Sequence, residues 1–295
     1  MKRVLITGIT GYIGSNLARR LLADCEVCGL VREPVNLTYL EDIQTQVRLL
    51  PCDGTIDSIT SALEASRPEV VYHLAAHYTG AHGPEQTPKL MESNLMFGAY
   101  LLEAMAVCGC TALVCASTIM AHYQGASYRP LNLYAATKQA FSDLLAYYTD
   151  AGPLRAVTVV LSDTYGPGDR RPKILNLVKR AVRTGEELAL SSGEQDYDVV
   201  YIDDVVSAFQ QAGAQLLQTQ GWNNAVFQAA ARNPLTLRQT VEQMLQVNGL
   251  SLRAAWGQRP QPEREIHRAV RLYPPLPGWS PAVSLEEGLR RFMEP

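Results

Sequence analysis

Gly8, Gly11 and Gly14 stand between a β-rich run, residues 3–7, and an amphipathic stretch, residues 15–23, with Leu17, Leu21 and Leu22 on one helical face. A strand that runs through G-x-x-G-x-x-G into a helix constrains this chain more than any other feature. Backbone without Cβ turns tightly and can approach a pyrophosphate. The helix N-terminus then offers unpaired N–H groups and the positive end of its dipole to the phosphates. This setting separates a dinucleotide cradle from a chance cluster of glycines.

The segments that follow repeat the alternation. Strands are expected at 26–31, ended by Pro34, and at 47–51, before Asp53-Gly54. A helix with Ile59 and Leu63 ends near Ser66, and the continuous apolar run 70–76 suits a strand covered on both faces. Helices at 94–107 and 134–149 alternate with strands at 112–116 and 156–161. Strands alternating with helices mean a parallel sheet with helices on both faces.

After Tyr165-Gly166-Pro167 helices dominate, at 172–184, 203–217, 235–247 and a last one reaching Met293. Thr236 with Gln239, and Ser284 with Glu287, have the spacing of capping boxes. Short strands fall at 226–228 and 252–256. The expected fold is α/β: a doubly wound parallel Rossmann sheet with a smaller, mainly helical C-terminal substrate lobe. Residues 1–165 form the NAD(P)-binding domain, with return segments from about 199–232, and 166–295 form the lobe.

The end of the second strand should meet the adenosine ribose. An acidic residue there suits the 2′-hydroxyl of NAD, and an Arg suits a 2′-phosphate. Arg32 takes that place with a guanidinium fork that matches phosphate, which favours NADP. Glu33, one residue on, keeps NAD open. Asp53 is placed to accept from the adenine amine, or to form a turn.

Tyr134 and Lys138 lie at i and i+4, one turn apart on one helix face. A free tyrosine has a pKa of about 10, and a neighbouring ammonium is expected to lower it. Ser117 and Thr118 follow the fifth strand, at the carboxyl edge where open α/β sheets bind ligands.

Taken together, the chain resembles an extended short-chain dehydrogenase/reductase of the nucleotide-sugar epimerase/dehydratase type. The matching elements are Thr7-Gly8-x-x-Gly11-Tyr12-Ile13-Gly14, His73-Leu74-Ala75-Ala76, Asn94, Ser117-Thr118, Tyr134-x-x-x-Lys138, Tyr165-Gly166-Pro167, Tyr201-Ile202-Asp203-Asp204-Val205 and Gly278-Trp279-Ser280-Pro281. The resemblance implies Tyr134 as acid/base, Lys138 as its partner and ribose ligand, and Thr118 as donor to the substrate oxygen, with Ser117 as the fallback. For the cofactor it implies Gly8, Gly11, Tyr12, Ile13, Gly14, Arg32, Asp53, Gly54, Leu74, Ala75, Ala76 and Asn94, beside Tyr134 and Lys138. For the substrate it implies Ser117, Thr164, Lys173 and Arg264.

Sugar 4,6-dehydratases of this kind carry an Asp-Glu pair after the Thr, and here Ile119-Met120 can serve as neither acid nor base. The expected activity is NADPH-dependent reduction of the C4 keto group of a nucleotide-activated 4-keto-6-deoxy sugar, most similar to reductases of CDP-linked deoxysugars. A 4-epimerase with tightly held NAD, or a reductase of a non-sugar ketone, is the alternative.

On the substrate side, Arg170, Arg171 and Lys173 precede a helix start expected at Pro172, as a phosphate site or as a solvated loop. One departure stands out. The family commonly has an Arg where Tyr197 lies in Gly193-Glu194-Gln195-Asp196-Tyr197-Asp198, which removes the usual diphosphate clamp. Asp203-Asp204 reads as helix capping, and His77, His82 and His122 receive no role.

Composition narrows the remaining classes. The 295 residues are 47% hydrophobic, enough to fill a sizeable core, and 19% charged, too few for a disordered chain. A net charge of -3 argues against a nucleic-acid footprint over the whole surface. No window approaches the ~18 apolar residues of a membrane span. The Cys25-x-x-Cys28 pair lacks a second pair to complete a metal site, so no metal is expected and the cysteines read as buried hydrophobes in a reducing cytosol. The expected state is a cytoplasmic homodimer, because the resemblance implies pairing through helices 94–107 and 134–149.

Overall fold

The computed structural model describes residues 2–294. In chain order the first half is β1 (Lys2–Thr7), α1 (Tyr12–Leu21), β2 (Cys25–Val31), β3 (Arg48–Pro51), α2 (Ile56–Ser66), β4 (Val70–His73), α3 (Thr87–Met91), α4 (Phe97–Val107), β5 (Ala112–Thr118), α5 (Leu133–Ala151) and β6 (Arg155–Leu161). The second half is β7 (Asp163–Tyr165), α6 (Ile174–Thr184), β8 (Leu188–Leu190), β9 (Asp196–Tyr197), β10 (Val199–Tyr201), α7 (Ile202–Gln218), β11 (Asn224–Ala229), β12 (Leu235–Thr236), α8 (Leu237–Asn248), β13 (Ala254–Trp256) and α9 (Leu285–Met293).

Seven strands form one sheet in the order β3-β2-β1-β4-β5-β6-β11, with every pairing parallel. The strand order reverses between β1 and β4, the place where open α/β sheets receive ligands. Val4 to Thr7 and Val70 to His73 are buried without alternation because helices cover both faces of these strands. Leu63, Leu101, Leu102, Phe141 and Leu145, from α2, α4 and α5, fill one face. Leu17, Val205, Phe209 and Leu216, from α1 and α7, fill the other.

Local signals set the helix ends. The Asn132 side chain accepts from the Ala135 amide at 2.9 Å and starts α5. Thr236 and Gln239 form the expected capping box of α8, and Ser284 accepts from the Glu287 amide to start α9. Gly11 is the N-cap of α1, so that helix begins at Tyr12, three residues before the hydrophobic period does. The chain enters α6 at Ile174 rather than Pro172, with Lys173 as N-cap. The helix expected at 94–107 starts earlier, because α3 and α4 are joined through a π turn over Glu92–Met96. Three two-stranded ladders pair β7 with β10, β9 with β12 and β8 with β13; of these strands only β13 falls in an expected one, at 252–256, since two or three residues show no periodicity.

Asp198 ties the second half of the chain to the sheet. Its carboxylate lies between β9 and β10 and accepts from the Ser162 hydroxyl, from the Ala231 amide at 2.9 Å and from Arg271 at 2.6 Å. Asp204 holds the C-terminal loop in the same manner, through the Ala282 and Val283 amides at 2.8 and 3.1 Å. All six cysteines are free. No helix of the described residues is long and apolar enough to cross a membrane.

Replacing Asp198 with Ala leaves three donors around a void that is almost closed to water. Losing a buried, hydrogen-bonded charge of this kind costs about 3 kcal/mol. Asp198→Ala is expected to lower the urea midpoint accordingly, and an unchanged midpoint would show that the hub adds nothing to stability.

Candidate active site

The glycine turn makes a cradle with no room for side chains. Gly8 has φ +72°, and a Cβ on it would stand 2.6 Å from the Ala75 amide nitrogen. A Cβ on Gly14 would stand 2.2 Å from the Gly8 carbonyl oxygen. No side chain caps α1 at Gly11, so its first amides are open to an anion. Behind the turn lies a cavity of about 520 Å³ lined by Thr7, Gly8, Thr10, Gly11, Arg32, Glu33, Leu74, Ala75 and Ala76, among others. These residues fit a dinucleotide.

Other expected cofactor residues take narrower roles. The Tyr12 hydroxyl donates to the Pro167 carbonyl at 3.1 Å, which leaves only its backbone for a cofactor. Ile13 packs against the core. The Asp53 carboxylate accepts from the Thr55 amide and hydroxyl at 2.9 and 2.7 Å. These bonds hold its pKa down at about 2 and make it a turn former, beside Gly54 at φ +92°. The Asn94 amide group is fully engaged. It bonds both backbone groups of His77, at 2.7 and 2.9 Å, and donates to the Thr137 hydroxyl at 3.0 Å, pinning the loop after β4 to α5.

Tyr134 and Lys138 lie one turn apart on α5, which packs against β5 and the turn after it. Lys138 is buried, and its ammonium makes no hydrogen bond or ion pair among the described residues. Burial lowers its pKa, opposed by the Cys115 thiol. The Tyr134 ring meets Tyr78 edge to face, with centroids 5.0 Å apart. Its pKa is not lowered as the helical spacing predicts. Burial, with Tyr78, pushes it up to about 12, and the cation that opposes this is Arg171 rather than Lys138. The Thr118 hydroxyl accepts from the Met120 amide at 3.2 Å and so keeps its own proton to donate. Ser117, one residue earlier, points to the opposite face of the sheet, and its hydroxyl has no protein partner among the described residues.

The cations expected on the substrate side are mostly committed to internal partners. Arg171 makes a two-pronged bond to Asp169 at 2.7 and 2.6 Å and reaches the Thr164 carbonyl at 3.1 Å. Lys173 pairs with Asp163 and also reaches the Thr164 carbonyl, at 3.2 Å, while the Thr164 side chain is buried. Tyr197 donates to the other Asp163 oxygen at 2.9 Å. Burial works to raise the Asp163 pKa, yet Lys173 and Tyr197 hold it below the ordinary carboxylate range. Arg264 binds the Leu131 and Pro130 carbonyls at 2.9 and 2.6 Å and covers the Tyr123 ring. The free cation cluster expected at 170–173 is therefore reduced to Arg170, exposed and without a side-chain partner among the described residues. Sequence reasoning missed Tyr78, Lys89 and Ser93, because the loop after β4 has no periodicity and the π turn breaks the helical one.

The profile of the NAD-dependent epimerase/dehydratase family matches residues 4–223. The chain belongs to this family. It is similar to CDP-abequose synthase of Yersinia pseudotuberculosis, 28% identical over 211 residues that cover 70% of this chain and 71% of that protein. It is also similar to UDP-glucose 4-epimerase of Mycolicibacterium smegmatis, 27% identical over 230 residues, 72% of this chain and 73% of that one. Among solved structures it resembles the UDP-glucose 4-epimerase of Thermus thermophilus in complex with NAD, at 26% identity and a TM-score of 0.81, covering 99% and 97% of the two chains. The family is one of NAD-dependent epimerases and dehydratases, the Thermus structure holds NAD, and the residues of the cradle fit such a dinucleotide.

His73 closes the floor of the cradle. It is buried between the Phe97 and Phe141 rings and shares a 2.8 Å hydrogen bond with Thr7. Burial, with Lys138, lowers its pKa from 6.5 to about 3. Between these values the unfolded chain binds a proton that the folded chain refuses, so stability falls as pH falls through this window. The slope amounts to about 1.4 kcal/mol per pH unit for one such group. Denaturant titrations from pH 7 to 4 should show a shallower loss in His73→Gln, and parallel profiles would rule the linkage out.

Proposed function

We propose that the protein reduces the C4 keto group of a nucleotide-activated 4-keto-6-deoxy sugar with NADPH. The observation that carries this reading is the Tyr134 phenol one helical turn from buried Lys138, whose ammonium lies over the Phe141 ring and has no hydrogen-bond partner among the described residues. A ketoreductase needs a proton donor at this place, and a neutral phenol is one. A buried ammonium without a partner asks for an acceptor from outside, which the ribose hydroxyls of a cofactor supply.

In this reading Tyr134 gives its proton to the C4 oxygen and is then reprotonated from solvent. Thr118, with its proton free, donates to the same oxygen as negative charge develops there. Lys138 fixes the ribose, and Arg171 is the cation that favours the phenolate as it forms. Bound NADPH supplies the hydride to C4. Arg32 on the cavity wall favours the 2′-phosphate of NADP. Ile119 and Met120 offer no acid or base for elimination of water, and the resemblance to CDP-abequose synthase points to a CDP-linked substrate. Arg170 is the cation left to meet a diphosphate.

A 4-epimerase with retained NAD is the second reading. The Mycolicibacterium and Thermus relatives and the Glu33 carboxylate on the cavity wall favour it. It needs Tyr134 to begin as a base rather than as a proton donor.

NADPH oxidation should follow addition of CDP- or dTDP-4-keto-6-deoxyglucose, and Tyr134→Phe should slow turnover by about a hundredfold or more. No turnover with any nucleotide form, together with nicotinamide that co-purifies, would instead establish the epimerase reading.

We also propose a homodimer formed through α4 and α5, which expose Val107 and Tyr147. Sedimentation should give the mass of two chains, and Val107→Glu with Tyr147→Glu should give one.

A further inference from the structure

The helical segment that begins at α3 contains one turn in which the Phe97 amide reaches back to the Glu92 carbonyl, five residues away instead of four. In a plain α-helix, positions four apart drift by about 40° around the axis at each step. A π turn spends more residues per turn and takes that drift out, and such turns are frequent at functional sites. Lys89, Ser93 and Phe97, at steps of four, are thereby kept in line. All three line the cavity behind the glycine turn, as Arg32 does.

Two features of this line ask for a ligand. Ser93 is only 7% exposed, and its hydroxyl has no hydrogen-bond partner. A native fold rarely leaves a buried hydroxyl unpaired. Lys89, for its part, makes no ion pair or side-chain hydrogen bond among the described residues. Its charge and that of Arg32 converge on His77, whose pKa is held below the ordinary range by burial first and then by these two cations. Arg32, Glu33 and Lys89 are the charged residues of the lining, so with Lys89 the cavity keeps a net positive charge.

We propose that Lys89 is a second cation reading the adenosine 2′-phosphate of the cofactor, closing on it from α3 together with Arg32, and that the Ser93 hydroxyl bonds the adenosine itself. This rests on the NADP reading above. Specificity for the cofactor would then come from α3 as well as from the end of β2.

The test is the dissociation constants of NADPH and NADH, read from the fluorescence of the bound nicotinamide in the whole protein. Lys89 is exposed, so its replacement leaves the fold intact. Lys89→Ala should weaken NADPH by about tenfold or more, the worth of one charge-assisted contact, and leave NADH nearly unchanged. Lys89→Arg should retain NADPH. Ser93→Ala should weaken both cofactors alike, since adenosine is common to them. An equal loss of both cofactors in Lys89→Ala, or no loss of either, would overturn the role of Lys89. Unchanged affinities in Ser93→Ala would overturn that of Ser93. A wild-type protein that binds NADH as tightly as NADPH would remove the NADP reading itself, and the Lys89 contact with it, before any variant is made.

Discussion

Gly8 and Gly14 meet so closely that neither can carry a side chain. One Cβ would enter the Gly8 carbonyl oxygen, and the other the amide of Ala75. This contact draws β1, α1 and the loop after β4 together at the point where the strand order of the sheet reverses. The open amides of α1, the cavity behind them and the placing of β4 against β1 all depend on it. Thr7 adds a second tie from the same strand, since its hydroxyl accepts from the Ala75 amide at 3.2 Å and bonds the buried His73. The cost of a polar pair in the core is offset because each member satisfies the other.

Burial also governs the acid–base character of the site. Tyr134 and Lys138 are pushed in opposite directions by the same loss of water, the phenol up and the ammonium down. Both shifts favour the neutral form. A neutral phenol is ready to donate, and an ammonium that is expensive to bury is ready to bind an acceptor. The Tyr78 ring, packed edge to face on Tyr134, adds to the upward shift.

The substrate side uses its charges differently. Asp163 and Asp169 neutralise Lys173 and Arg171 within the protein, and Tyr197 adds a third donor to Asp163. Paired charges of this kind contribute little net stability but are costly to break singly. Their evident effect is to hold the segment around Gly166-Pro167 against Tyr12, whose ring lies 4.7 Å below the Arg171 guanidinium. These contacts join the start of α1 to the segment between β7 and α6. Tyr197, where the family commonly has Arg, is a member of that joint and not an empty place in a clamp.

Sequence alone determined the parallel α/β fold, the cradle and the pairing of Tyr134 with Lys138. These rest on local rules: a glycine where no Cβ fits, a hydrophobic period, a helical spacing of four. The helix caps at Thr236 and Ser284 were legible for the same reason. Only the tertiary structure decided what each charge does. The run Arg170-Arg171-Pro172-Lys173 reads as a phosphate site until Asp163 and Asp169 are seen beside it, and Arg264 reads as free until the Leu131 carbonyl is found. The Leu131 carbonyl lies 133 residues from Arg264, and even Asp169, two residues from Arg171, takes its role only in the folded loop; periodicity carries no record of either. The π turn is the sharpest case. It realigns Lys89 and Ser93 with the cavity through one displaced backbone hydrogen bond, which only the folded helix and its packing against the sheet could reveal.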